Sequence, residues 1–283
     1  MNNRWEKVGD GIERMAQRTP TLPPATETNT YLISGARGFF VVEPATPYAR
    51  EQRVLFDQVR ARLSSGDMLL GAVVTHHHVD HVGSAAEFRI EFGVPLFAHA
   101  LAKERLAGRV PVDRTLGDDD VLDGTDVTAM HTPGHAPGHV CLWSKGCRWL
   151  VAGDMVASVG SIVIDPDDGG DMREYMTQLE RLTALPVERI LPAHGGPIDT
   201  PHELLEHYTA HRREREDKVA TAVRRGDRDP AGRVTLGEVV RRAYADTPAW
   251  LWPLASKSAR AHLAKLVKDG EVSAVADGWS PGH

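Results

Sequence analysis

The stretch Met68-Leu69-Leu70-Gly71-Ala72-Val73-Val74-Thr75-His76-His77-His78-Val79-Asp80-His81 decides how this chain is read. Its first half is aliphatic and uncharged, the pattern of a buried strand. Its second half turns abruptly polar, so the strand ends in a loop. In that loop His76 and His78 stand at i and i+2, with Asp80 at i+4 and His81 at i+5, the spacing H-x-H-x-D-H. A tight turn carrying these four side chains can converge imidazole nitrogens and carboxylate oxygens on a borderline or hard divalent cation. An exposed histidine-rich loop is the bland alternative, and the rest of the chain weighs against it.

Working outward, Ala49 to Leu63 carries Val54, Leu55, Val59 and Leu63 at helical spacing and predicts an amphipathic helix feeding the strand before His76. Trp5 to Met15, Asn29 to Ser34 and Phe39 to Glu43 read as strands punctuated by Gly and Pro. Beyond the loop, Gly83 to Phe92 is a predicted helix, and Pro95 to Ala98, Asp126 to His131, Val140 to Ser144 and Arg148 to Ala152 are predicted strands. Strands mixed with helices over this length fit a layered α and β domain. Thr200-Pro201-His202-Glu203 is a helix start, and that helix can run to Arg225. After the turn-rich segment from Gly226 to Gly232 come two amphipathic helices, Leu236 to Tyr244 and about Leu254 to Lys268. Gly270 to Val275 then reads as a wing, giving a small winged-helix-like unit.

At 283 residues, 41% apolar and 25% charged, the composition is that of a globular protein with a full core. Met1 to Asp10 lacks the apolar stretch of a secretory signal, and no apolar run approaches a membrane span, so a cytoplasmic protein without membrane association is expected. Cys141 and Cys147 flank the turn Ser144-Lys145-Gly146 out of register for a bridge and are expected to be reduced. The formal charge of −6 weighs mildly against a dedicated nucleic-acid binder. From Pro201 onward, however, Lys and Arg slightly outnumber Asp and Glu, and two bound divalent ions would change the local field.

Three further pieces accompany the first cluster. His131-Thr132-Pro133-Gly134-His135-Ala136-Pro137-Gly138-His139 lies between two strands, Gly153-Asp154 ends the strand from Trp149, and Pro192-Ala193-His194-Gly195 ends the strand from Arg189. Each sets a ligand-type residue just past a strand end, where Gly and Pro allow a tight loop. Here the sequence resembles the metallo-β-lactamase superfamily, whose order of H-x-H-x-D-H, G-H, G-D and G-H or A-H it matches between about Asn29 and Gly196. The resemblance implies an α+β fold, an αββα sandwich over residues 1–200, followed by a linking helix and winged-helix-like domain over 201–283. It implies two divalent metal ions, zinc being the first guess from five imidazoles and no thiolate. His76, His78 and His135 would hold one ion, Asp80, His81 and His194 the other, and Asp154 would bridge them. Asp80 would also orient the attacking water and accept its proton. His139 is taken as a support or packing residue, His77 as a support residue, and His99 and His131 as structural.

Tyr208 to Glu216 and the winged-helix pattern resemble the lactamase-β-2-like branch, which extends the likeness over nearly the whole chain. That branch implies a hydrolase, its relatives including single-strand endoribonucleases and thioesterases acting on carrier proteins. Where the branch often has Asp after the third strand, this chain has Glu43-Pro44-Ala45, which bears on local loop packing. Tyr175, on the predicted helix from Asp171 to Leu182, is read either as a donor to a developing oxyanion or as a core residue. His211 and Arg212 are read either as substrate contacts or as part of a solvated helix.

The expectation is a binuclear hydrolase acting on a thioester, ester or lactone of a small molecule or acyl carrier. Single-stranded RNA ranks behind these, because Phe and Tyr are few and no basic tract is interleaved with aromatics. A β-lactamase role would require export. From a different class, a ligand-sensing DNA-binding protein would use Ala255 to Lys265 as its recognition helix, with Lys257, Arg260 and Lys265 as its cations.

Overall fold

Residues 4–282 are described by the structure, a computed structural model. Two compact units emerge. The first comprises the chain up to Thr132 together with Gly138–Ile162 and Leu185–Pro201, and the second comprises Pro133–Pro137, Val163–Ala184 and the chain from His202 onward.

In the first unit a seven-stranded sheet runs in chain order: β1 (Glu6–Gly9), β2 (Ile12–Arg18), β3 (Glu27–Gly35), β4 (Gly38–Val42), β5 (Leu69–Val73), β6 (Leu96–Ala98) and β7 (Arg114–Thr115). The first four strands are antiparallel neighbours, and from β4 onward the pairing is parallel. The segment read as one strand from Trp5 to Met15 is therefore a hairpin, β1 to β2, folded at Asp10-Gly11, a pair whose turn chemistry favours such a reversal. A second sheet holds β8 (Val127–His131), β9 (Val140–Ser144), β10 (Trp149–Gly153) and β11 (Arg189–Pro192).

Strand alternation sorts the side chains into two cores. Tyr31, Ile33, Phe40, Val42 and Val73 of the first sheet meet Val127, Ala129, Leu142, Val151 and Leu191 of the second. The alternate residues Leu32, Phe39, Val41, Ala72 and Val74 face helices α1 (Ala49–Ser64), α3 (Ala85–Phe92) and α4 (Ala100–Leu106), meeting Leu55, Val59, Phe88 and Leu106. The helix predicted from Gly83 is preceded by a separate turn of helix, α2 (Val79–Val82), which begins inside the histidine loop. Cys141 is buried, Cys147 is exposed, and no disulfide joins them.

The second unit takes in α5 (Met172–Thr183), α6 (Pro201–Arg225), α7 (Leu236–Ala243), α8 (Trp252–Lys268) and the hairpin β12 (Val272–Val275) to β13 (Gly278–Pro281). Val219 and Val223 of α6 pack with Val239 and Val240 of α7 and with Ala259, Leu263 and Leu266 of α8. The segment before α5 joins α8 by ion pairs Lys257–Asp165 at 2.7 Å, Lys268–Asp171 at 2.5 Å and Arg260–Asp167. The unit thus recruits residues 163–184 from the middle of the chain, and its wing has a second strand beyond the one read from Gly270 to Val275.

Candidate metal centre

Buried β5 delivers Thr75 and His76 to the sheet's end, His78 stands just before α2, and α2 presents Asp80 and His81 within a single turn. His76 Nε2 lies 2.9 Å from His78 Nδ1, and His76 Nδ1 lies 2.9 Å from Thr75 Oγ1. His77 between them is buried. β10 ends at Gly153 and places Asp154, while β11 ends at Pro192 and places His194. Asn29 Nδ2 and the Tyr31 hydroxyl both donate to the Pro192 carbonyl, at 2.8 and 2.7 Å, which fixes the chain entering that loop.

Two groups of ligand atoms converge in this unit, His76 with His81 and Asp154, and Asp80 with His81 and His194. His81 Nε2 is 3.5 Å from Asp154 and 3.8 Å from Asp80, and His194 Nε2 is 3.4 Å from Asp154 and 3.6 Å from Asp80. These spacings are long for hydrogen bonds. His81 Nε2 is buried and has no hydrogen-bond partner among the described residues, an arrangement that native interiors rarely tolerate. A cation held by these groups would satisfy it. The outer nitrogens are spoken for: His194 Nδ1 donates to the Glu27 carbonyl at 2.9 Å, and His81 Nδ1 meets the Glu43 carboxylate. Hydrogen bonding of one ring nitrogen to an oxygen acceptor leaves the other's lone pair for a metal. The residues present therefore fit a divalent cation.

The electrostatics agree. Burial works against an imidazolium at His81, yet Glu43, Asp154 and Asp80 outweigh it and hold the ring's pKa well above the ordinary value. Burial alone would push the Asp154 carboxyl up, but His194 and His81 hold it well below the ordinary carboxylate value. Asp154 is thus held ionised among the rings, and a carboxylate set among imidazole nitrogens is a donor arrangement that suits a cation.

His135 lies on the segment assigned to the second unit, where its Nδ1 donates to the Val163 carbonyl at 2.9 Å. Gly134 before it has φ +129, and a Cβ there would fall 2.3 Å from the Tyr175 backbone, so no other residue fits without movement of α5. Tyr175 is fully buried, with the Arg212 guanidinium 5.2 Å from its ring centroid, and Arg212 is itself buried. That packing supports the core role of Tyr175. His211 is exposed beside His207, since adjacent helical positions point about 100° apart. Thus Tyr175 and Arg212 are brought together and His211 is not. The cations of the supposed recognition helix each face a carboxylate in their own unit: Lys257 meets Asp165, Arg260 meets Asp167, and Lys265 meets Glu216 and Asp269.

The family profile described as the metallo-beta-lactamase superfamily matches residues 23–194. The chain belongs to the metallo-β-lactamase superfamily. A second profile, the beta-lactamase associated winged helix domain, matches residues 235–279, so the metallo-β-lactamase α+β fold is followed here by a winged helix. Among curated relatives, the beta-lactamase-like protein 2 homolog of Caenorhabditis elegans is 30% identical over 273 residues, spanning 94% of this chain and 88% of that protein. The atrochrysone carboxyl ACP thioesterase of Aspergillus chevalieri is 29% identical over 232 residues, covering 78% and 69% respectively. A beta-lactamase domain protein from Burkholderia ambifaria shares the fold at a TM-score of 0.83 and 20% identity, covering 99% of this chain and 94% of that one.

Within this superfamily member, reading motifs along the chain leaves out the partners of the motif residues. Glu43, Thr75 and Thr132 hold motif histidines in place. The available signal for Glu43 was a carboxylate directly after the wholly apolar run Phe39-Phe40-Val41-Val42.

Proposed function

We propose that this chain is a cytoplasmic binuclear metallohydrolase that cleaves a thioester, ester or lactone in a small-molecule or acyl-carrier substrate. His76, His78 and His135 would hold one ion and Asp80, His81 and His194 the other, with Asp154 between them; the imidazole-rich, thiolate-free donor set suits zinc. When bound, such a pair supplies Lewis-acid polarisation of the scissile carbonyl and activation of water near neutral pH. The chain's own residues orient and move protons. Asp80, only partly buried, orients the attacking water and accepts its proton. Asp154, kept ionised by His81 and His194, supplies fixed negative charge at the centre.

The observation that carries this reading is the convergence of buried ring nitrogens on two carboxylates, with His81 Nε2 lacking a hydrogen-bond partner among the described residues. The fungal relative named as a carrier-protein thioesterase supports the choice of bond. Zinc-reconstituted protein assayed on acyl thioesters, an acyl-carrier thioester, a lactone, a cephalosporin and a fluorogenic RNA oligonucleotide tests it. Turnover of a carbonyl substrate, abolished by chelation and restored by zinc, is the expected result. Cleavage of RNA with every carbonyl substrate inert would assign a ribonuclease instead.

A further inference from the structure

Glu43 is an unusual residue in an unusual place. It is buried, only 1% exposed, and its backbone has φ +60, a left-handed conformation that residues with a long side chain rarely adopt. The backbone is tied on both sides: its N–H donates to the Val73 carbonyl at 2.8 Å, and its carbonyl accepts the Thr30 hydroxyl at 2.6 Å. So held, the carboxylate reaches both ends of the histidine loop. Oε1 accepts the Thr75 N–H at 2.7 Å, where the loop leaves β5, and Oε2 meets His81 Nδ1, where the loop has become α2. One carboxylate therefore spans Thr75 to His81, closing the loop and setting the proton of one ring.

We propose that Glu43 is the positioning residue that fixes His81 with Nδ1 protonated and Nε2 open, and so governs how tightly the Asp80–His81–His194 site holds its ion. This rests on the binuclear reading above. A carboxylate can only accept, so the proton shared with His81 must sit on Nδ1, and Nε2, which faces Asp154 and Asp80, is the nitrogen that can give up its proton to a metal. Loop closure through Thr75 is a separate task of the same side chain, and the two tasks are separable by substitution.

Glu43→Gln separates them. The amide oxygen still accepts from Thr75, but the amide N–H2 donates to His81 Nδ1, which moves the ring proton to Nε2 and blocks ligation. Chelator competition on zinc-loaded protein should show two ions in the wild type, and in E43Q one ion held as before and the other weakened about 10- to 100-fold. E43D, which keeps the charge on a shorter arm, should fall between. Nitrogen NMR of the loaded wild type should show His81 bound through Nε2 with a protected Nδ1 proton.

Equal affinity for both ions in wild type and E43Q overturns the role of Glu43, as does ligation of His81 through Nδ1. The NMR result stands even where E43Q does not fold. A wild type holding fewer than two ions defeats the binuclear reading. If its single ion is bound equally well by E43Q, the role of Glu43 falls with it, and if E43Q weakens that ion the role survives alone.

Discussion

His139 Nε2 accepts the backbone N–H of Asp154 at 3.0 Å, while His139 Nδ1 lies 2.8 Å from Thr132 Oγ1. A backbone amide can only donate, so the fully buried ring is neutral, with its proton on Nδ1 and directed at Thr132. The Thr132 hydroxyl in turn donates a hydrogen bond to Cys141 Sγ at 3.3 Å. Both ring nitrogens of His139 are committed to protein atoms, and the ring's task is to hold the chain at Asp154.

From this follows an ordering of variants. On the proposed reading, Asp154→Ala removes the charge between two ions and should leave at most one bound. His139→Ala keeps every ligand and should weaken metal binding by about 10- to 100-fold, as loss of an outer support does. Elemental analysis and chelator titration of the two proteins check this. Two ions in Asp154→Ala, or none in His139→Ala, would reverse the assignment.

Gly153 should be as sensitive as a ligand. Its φ is +48, and an added Cβ would lie 2.4 Å from His139 Nε2 and 3.0 Å from Thr75 Oγ1, both on buried side chains. The left-handed backbone costs a non-glycine residue about 1–2 kcal/mol, and overpacking adds about 1–3 kcal/mol. Gly153→Ala should therefore lose about 2–5 kcal/mol in urea unfolding together with metal affinity; a loss under about 1 kcal/mol would contradict the geometry.

His99 gives a pH dependence away from the metal cluster. Burial lowers its pKa from 6.5 to about 4, and the His131 ring stacked 3.9 Å away adds to the effect. In the unfolded chain the same ring titrates near 6.5, so between about pH 6.5 and 4 the unfolded state binds more protons. Its stabilisation is complete above that window and is lost as pH falls through about 4. The effect is modest because the ring is only half buried. Nδ1 of His99 accepts the Leu101 N–H at 3.2 Å as the cap of α4, a task Asn performs well. His99→Asn should flatten the dependence of the urea midpoint on pH in this window, and an unchanged slope would exclude His99 as its source.

How much of this was legible follows from where each contact lies in the chain. His76, His78, Asp80 and His81 fall within six residues at one strand end, and Asp154 and His194 each follow a strand, so spacing and punctuation alone expose them. Glu43 meets His81 only because β4 and β5 pair in parallel with Val42 opposite Val73, a register that no local pattern encodes. The grouping of residues 163–184 with the C-terminal helices was equally hidden, since it depends on ion pairs such as Lys268–Asp171 between residues 97 positions apart. The hairpin at Asp10-Gly11 was different: its turn signal was present and was outweighed by the apolar residues on either side.

The same grouping decides what a C-terminal deletion does. Ending the chain after Arg225 leaves α6 intact in sequence but strips Val219, Ala220, Ala222 and Val223 of the partners Val239, Val240, Ala259 and Leu263. Exposing two fully buried valines alone costs about 3 kcal/mol or more. The deletion also removes the partners of Asp165, Asp167 and Asp171, so the segment leading into α5 loses its ion pairs as well. These pairs lie near the surface and contribute little individually, whereas the apolar loss falls on one helix and has no replacement. The truncated protein should therefore unfold at lower urea and show increased binding of a hydrophobic dye, with the loss mapped by hydrogen exchange to α6 and residues 163–184. A soluble truncation with wild-type exchange protection across those segments would show that they fold without the winged helix, against the packing described.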